Sequence, residues 1–293
     1  MGKLNFALPV AAALLALLAP LVCGHTTTIA GAPLPVAMRQ FPLSAVRPTP
    51  GSRIYVQQQR NTRYLLAFDS SKLLCGYTAA ANLTGTYEHP TCEFIESDGW
   101  QHFAGHYVGH WLSAAALTVE SGGDPTGALA VKTAAVVDVL ASCQTAWTAL
   151  GPSTRGFLFP YNTNDFWPAP RAGSQPGVPF YIAHKMLAGL LDVALRLNST
   201  QALDMAAAMG LWVKARAEMV LAEDSTGTAW QDALQDEWGG INESLFALFR
   251  VTGDPAFRDA AYLFDHLAWT APLAAGVDRI GTPPNNHANT HIP

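Results

Sequence analysis

Histidines and carboxylates recur in this sequence at spacings that chemistry could use. His102, His106 and His110 fall at i, i+4 and i+8, so a helix through them would carry all three on one face. Histidines four apart can hold a metal. Yet no Glu stands between them as in helical zinc-protease motifs, and Gly105 and Gly109 weaken a helix there. Hydrogen bonding to a polar ligand suits the set better. Glu237 and Glu243 flank the turn of D-E-W-G-G-I-N-E (Asp236–Glu243), and paired carboxylates are what glycoside hydrolysis usually needs. The plainer reading is that Glu243 stabilises its own helix start, with Asn242 as the cap. His184 precedes an apolar helix, as a cap or as a buried histidine. The segment Asn285–Pro293 (N-N-H-A-N-T-H-I-P) is polar and dense in histidine.

These residues sit at matching points of a repeat. G-H-Y-V-G-H (Gly105–His110) leads into Trp111–Leu117, a G-G-D-P turn and a returning helix over Ala128–Gln144. His184-Lys185 leads into Met186–Leu195, the L-N-S-T turn and Ala202–Val220. The Gly239–Glu243 turn leads into Ser244–Phe249, T-G-D-P and Phe257–Trp269. Each unit is a polar turn, a helix, a tight turn and a helix back. Helix pairs repeating at this scale predict an all-α solenoid or α/α toroid. No useful run alternates apolar and polar residues, so little β structure is expected. In such a toroid the inner helices start on one rim, which would gather His106, His110, His184, Glu237 and Glu243 around a cavity. The Pro- and aromatic-rich loop between Gly151 and Pro179 is long for a compact domain, and long loops tend to be functional.

The chain has 293 residues, 13% of them charged, and a net charge of −5, which gives no basic stripe for nucleic acid. Lys3 and the uncharged apolar run Phe6–Val22 have the form of a signal peptide over residues 1–24. Secretion to the extracellular space or cell wall follows, with no membrane contact once the signal is cleaved. Residues 25–55 read as an extended Pro/Thr-rich leader, with a helix expected over Asn61–Ala67. In an oxidising compartment Cys75 and Cys92 could close a short loop and leave Cys143 free. Sequons stand at Asn82, Asn198 and Asn242, and the last is a poor glycan site because it sits in the organising turn.

Four motifs then combine. G-H-Y-V-G-H-W-L-S-A (Gly105–Ala114), F-Y-I-A-H-K-M-L-A-G-L-L-D (Phe180–Asp192), E-W-G-G-I-N-E (Glu237–Glu243) and H-A-N-T-H-I-P (His287–Pro293) occur in this order. They resemble the N-terminal half of the glycoside hydrolase family 127 catalytic domain, over roughly Asn61 to Pro293. The resemblance implies an (α/α)6 barrel and a retaining hydrolase that releases L-arabinofuranose from plant- or algal-type glycans or hydroxyproline-linked glycoproteins. It also implies a cysteine thiolate nucleophile held at zinc by glutamate and further cysteines, with another glutamate as acid/base. In the family those residues follow the H-A-N-T motif.

None of Cys75, Cys92 or Cys143 stands in a paired-cysteine or Glu-x-Cys context, so no catalytic residue and no metal ligand carries over. Zinc is implied for the complete family domain and no cofactor within this chain. The sugar-facing positions do carry over: His287 first, then His184 with Glu237, Asn242 and Glu243, then His106 and His110. An incomplete α/α barrel over 56–293 is therefore expected, without activity by itself, and its oligomeric state is open. Two alternatives stand beside it. One is a non-catalytic carbohydrate-binding fragment or pseudoenzyme; the other is an α/α-toroid polysaccharide lyase using His and Tyr.

Overall fold

The computed structural model describes residues 41–83, 105–160, 178–224, 226–235, 238 and 240–278, with the backbone of 27–29 and 32–34. The chain divides between Pro42 and Leu43 into two compact units. In the first, β1 (Thr27–Ile29) pairs antiparallel with β2 (Ala32–Leu34), Ile29 lying opposite Ala32. The leader expected to carry little structure thus holds one short strand pair.

The described part of the second unit is helical. Its helices are α1 (Arg53–Ala67), α2 (Ser70–Ala80), α3 (His106–Glu120), α4 (Ala128–Ala149), α5 (Pro179–Leu197), α6 (Thr200–Glu223), α7 (Thr228–Ala233), α8 (Ile241–Thr252), α9 (Pro255–Leu263) and α10 (Leu267–Ala274). The fold is all-α, of the α/α-barrel type. The first helix starts at Arg53 rather than Asn61 because Ser52 caps it, its hydroxyl accepting from the Tyr55 amide.

The three repeat units appear as the helix pairs α3/α4, α5/α6 and α8/α9. Short polar side chains make their turns. Asn198 takes the left-handed conformation (φ 56°) after α5, and the Ser199 hydroxyl then caps α6 through the Ala202 amide. Asp254 caps α9 through the Ala256 amide, with Pro255 as its first residue. The returning stretch expected over Phe257–Trp269 is two helices. It breaks at Phe264–His266, where Gln231 accepts from the Leu267 amide and donates to the Asp265 carbonyl.

Helices α3, α5 and α8 lie side by side in one layer, and α4, α6 and α9 in the layer behind. Within the first layer the helices run parallel. The C-terminal ends of α3 and α5 meet where Arg196 pairs with Glu120 and with Asp192. Nearer their starts the helices meet at two glycines. A Cβ on Gly109 would stand 2.0 Å from the Lys185 carbonyl oxygen, and one on Gly189 would stand 2.5 Å from the Gly109 oxygen. Only glycine allows that backbone approach. Gly109, expected to weaken a helix, is what lets this one dock.

The six described tryptophans (Trp111, Trp147, Trp212, Trp230, Trp238 and Trp269) are all buried. Trp147, Phe157, Phe159 and Trp212 form one contiguous aromatic cluster, and Phe180, Trp230 and Phe264 another. Phe157, Leu158 and Phe159 come from the long loop after Gly151. This part of it is core, and residues 161–177 of the loop lie outside the described residues.

Candidate functional site

The parallel layer brings the starts of α3, α5 and α8 to one end. Each of the three begins without a side-chain hydrogen bond from its N-cap residue: Gly105, Val178 and Gly240. The positive ends of three helices therefore point the same way. Gly105 makes the entry to α3 possible, since its φ of 107° lies where other residues are strained.

His106 and His110 lie in the first turns of α3, in the helix itself rather than in a preceding turn. Their rings meet edge to face at 5.6 Å. Both also approach Tyr181 of α5, at 5.4 Å and 6.5 Å between centroids. Four residues on, Lys185 sets its ammonium 4.7 Å from the Tyr181 ring centre, within cation–π range. The same ammonium lies 3.4 Å from Nδ1 of His184, which favours donation to Nδ1 and leaves the Nε2–H to face outward. His184 Nε2 in turn stands 3.7 Å from Glu243 Oε2 on α8, long for a hydrogen bond but near enough for the Nε2–H dipole to favour the carboxylate. A chain of six side chains thus crosses three helix starts.

His184 is buried inside α5, not at its cap. Asn242 is not the cap of α8 either. Gly240 holds that place, and Asn242 lies beside Asp265, whose ionised carboxyl it favours against the larger opposing effect of burial. The Asn242 sequon is hindered in this fold because its Ser244 is buried.

Charge follows from this packing. Partial desolvation by its neighbours, although the residue itself stays exposed, pushes His110 down to about 4, reinforced by Lys185, His106 and His184, so its imidazole is neutral near pH 7 and can both donate and accept. His184, with the charges of Lys185 and Arg250 behind it, holds the Glu243 carboxyl below the usual range against the opposing effect of burial. Glu243 also sits in the first turn of α8, where the helix dipole favours a carboxylate. The result is an ionised Glu243 acceptor in the same cluster as the neutral His110 ring, an arrangement suited to hydroxyl groups.

Glu237, His287 and Cys92 lie outside the described residues. Cys75 is disulfide-bonded, to a partner also outside them. Among the described residues no group of three or more His, Cys, Asp or Glu could hold a metal ion, and no chemical step is routed through one. Tyr181 and Lys185 were missed as site residues. Their signal was present in Y-I-A-H-K, where they stand four apart on the face adjoining His184. Asp265, between α9 and α10, carried no comparable signal.

A family model described as the β-L-arabinofuranosidase GH127 catalytic domain matches residues 45–293. The chain belongs to glycoside hydrolase family 127. No curated protein matches it significantly. Within this glycoside hydrolase family 127 chain, the clustered rim is made from three of the four motifs quoted above. They are G-H-Y-V-G-H, F-Y-I-A-H-K and W-G-G-I-N-E. Family 127 acts on carbohydrate, and the described cluster offers hydrogen-bonding groups of the kind a sugar requires.

Proposed function

We propose that the cluster of His106, His110, His184 and Glu243 holds a terminal L-arabinofuranosyl unit of a plant- or algal-type glycan, for retaining hydrolysis outside the cell. The observation that carries this reading is the convergence of three helix starts on one connected set of hydrogen-bonding side chains. In this reading the neutral His110 ring accepts from one sugar hydroxyl and donates to another. Glu243 accepts, and Lys185 keeps His184 in the tautomer that donates outward. The family membership supports a glycosidic substrate, and the motifs support arabinofuranose.

A second reading has one observation in its favour. Among the described residues the free cysteine is Cys143, fully buried, with its thiol pushed up to about 12 by desolvation. Such a thiol supplies no nucleophile. Sugar binding without cleavage by the described residues fits that fact.

The test uses methyl β-L-arabinofuranoside for affinity and 4-nitrophenyl β-L-arabinofuranoside for turnover. Release of arabinose with retained configuration supports the hydrolase, and binding without release supports the second reading. His110 is exposed, so His110→Ala should fold normally and bind about tenfold more weakly, the loss of one or two ligand hydrogen bonds. Unchanged affinity in that variant would remove the cluster from the function.

A further inference from the structure

We infer that Tyr64, Phe68 and Tyr107 form a second carbohydrate subsite, which takes the sugar unit linked to the terminal one. This rests on the reading that the histidine cluster holds that terminal unit. Tyr107 follows His106 in the first turn of α3, so the ridge begins on the helical face next to the cluster. Tyr64 comes from the last turn of α1, and Phe68 is the residue that ends it.

The three rings are braced against one another. Tyr64 meets Phe68 edge to face at 5.9 Å, and Phe68 meets Tyr107 at 5.2 Å with the planes 30° apart. The two phenol oxygens are 2.7 Å apart and share a hydrogen bond. Burial and that bond push the Tyr107 phenol up, so it stays protonated at any ordinary pH. The end of α1 that carries the ridge is itself pinned. Lys132 of α4 donates to the carbonyls of Leu65, Leu66 and Phe68, the last groups a helix leaves unpaired.

A rigid, uncharged aromatic surface with a hydroxyl edge matches one ligand chemistry well. A sugar ring has an apolar C–H face for stacking and a rim of hydroxyls for the phenols. Because the rings are already fixed, little side-chain freedom is lost on binding. The buried tryptophans cannot play this part, whereas Tyr64 is 54% exposed.

The experiment compares methyl β-L-arabinofuranoside with a β-linked L-arabinofuranosyl disaccharide, using affinity, or KM where the disaccharide is cleaved. The wild type should prefer the disaccharide about tenfold, the scale of one aromatic contact. Tyr64→Ala should abolish that preference and leave monosaccharide affinity unchanged. Tyr64→Phe, which keeps the ring, should retain most of it. Equal weakening on both probes, or a preference that survives Tyr64→Ala, overturns the subsite alone. A wild type that binds the monosaccharide without preferring the disaccharide does the same. No binding of either probe overturns the terminal-sugar reading together with it.

Discussion

His266 is the least accommodated side chain described. It is fully buried, neither ring nitrogen has a hydrogen-bond partner among the described residues, and it packs edge-on against Trp238 at 5.8 Å, whose indole nitrogen likewise has none among them. Burial holds its imidazole below the ordinary 6.5. The sign follows directly. Above about 6.5 the ring is neutral in folded and unfolded chains alike. As the pH falls, the unfolded chain takes the proton first, so stability declines from there downward. His110, pushed to about 4, adds to the same decline between its unfolded 6.5 and that value. Thermal melts should therefore show a lower Tm at pH 5 than at pH 7. His266→Leu removes two unsatisfied nitrogens and should raise stability at pH 7 by about 1 kcal/mol while flattening the acid slope. A slope identical to wild type would show that His266 contributes nothing to it.

At the scale of elements, the contact between α3 and α5 depends on Gly109 and Gly189. Gly109→Ala gains about 1 kcal/mol of helix propensity. It also places a methyl group 2.0 Å from the Lys185 carbonyl, between two backbones that cannot move independently. The overpacking should win by a net loss of about 2 kcal/mol or more in denaturant unfolding. Ligand affinity should fall too, because separating the helices takes Tyr181 and Lys185 away from His106 and His110. Gly253→Ala is the control. No atom lies within 4 Å of its added carbon, so only the strain of its φ of 74° is felt, about 1 kcal/mol, with affinity unchanged. Equal effects at the two positions would rule out the close approach as the organising contact.

Across the molecule, the cysteines separate into two roles. Cys143 is buried in the last third of α4, so alkylation of the native protein should leave its peptide unlabelled while denaturant exposes it fully. Labelling without unfolding would mean that the core opens around it. Cys75, in the buried face of α2, is disulfide-bonded, and Cys75→Ala should cost about 2–4 kcal/mol. An unchanged unfolding midpoint would show that the bridge adds no stability to the fold.

Much of this was legible beforehand. The repeat of polar turn, helix, tight turn and helix could be read from sequence because caps, left-handed turn residues and apolar periodicity are local properties. That sufficed for the all-α class, the three helix pairs and a rim holding His106, His110, His184 and Glu243. Tertiary structure decided which backbones touch. Gly109 reads as a helix breaker until Lys185 is seen against it, and Asn242 reads as a cap until Asp265 is seen beside it. The placing of Tyr64 against Tyr107, 43 residues away, also depends on how α1 meets α3. Local signals report what one segment prefers. Contacts between distant segments come from the joint packing of all of them, which no single stretch encodes.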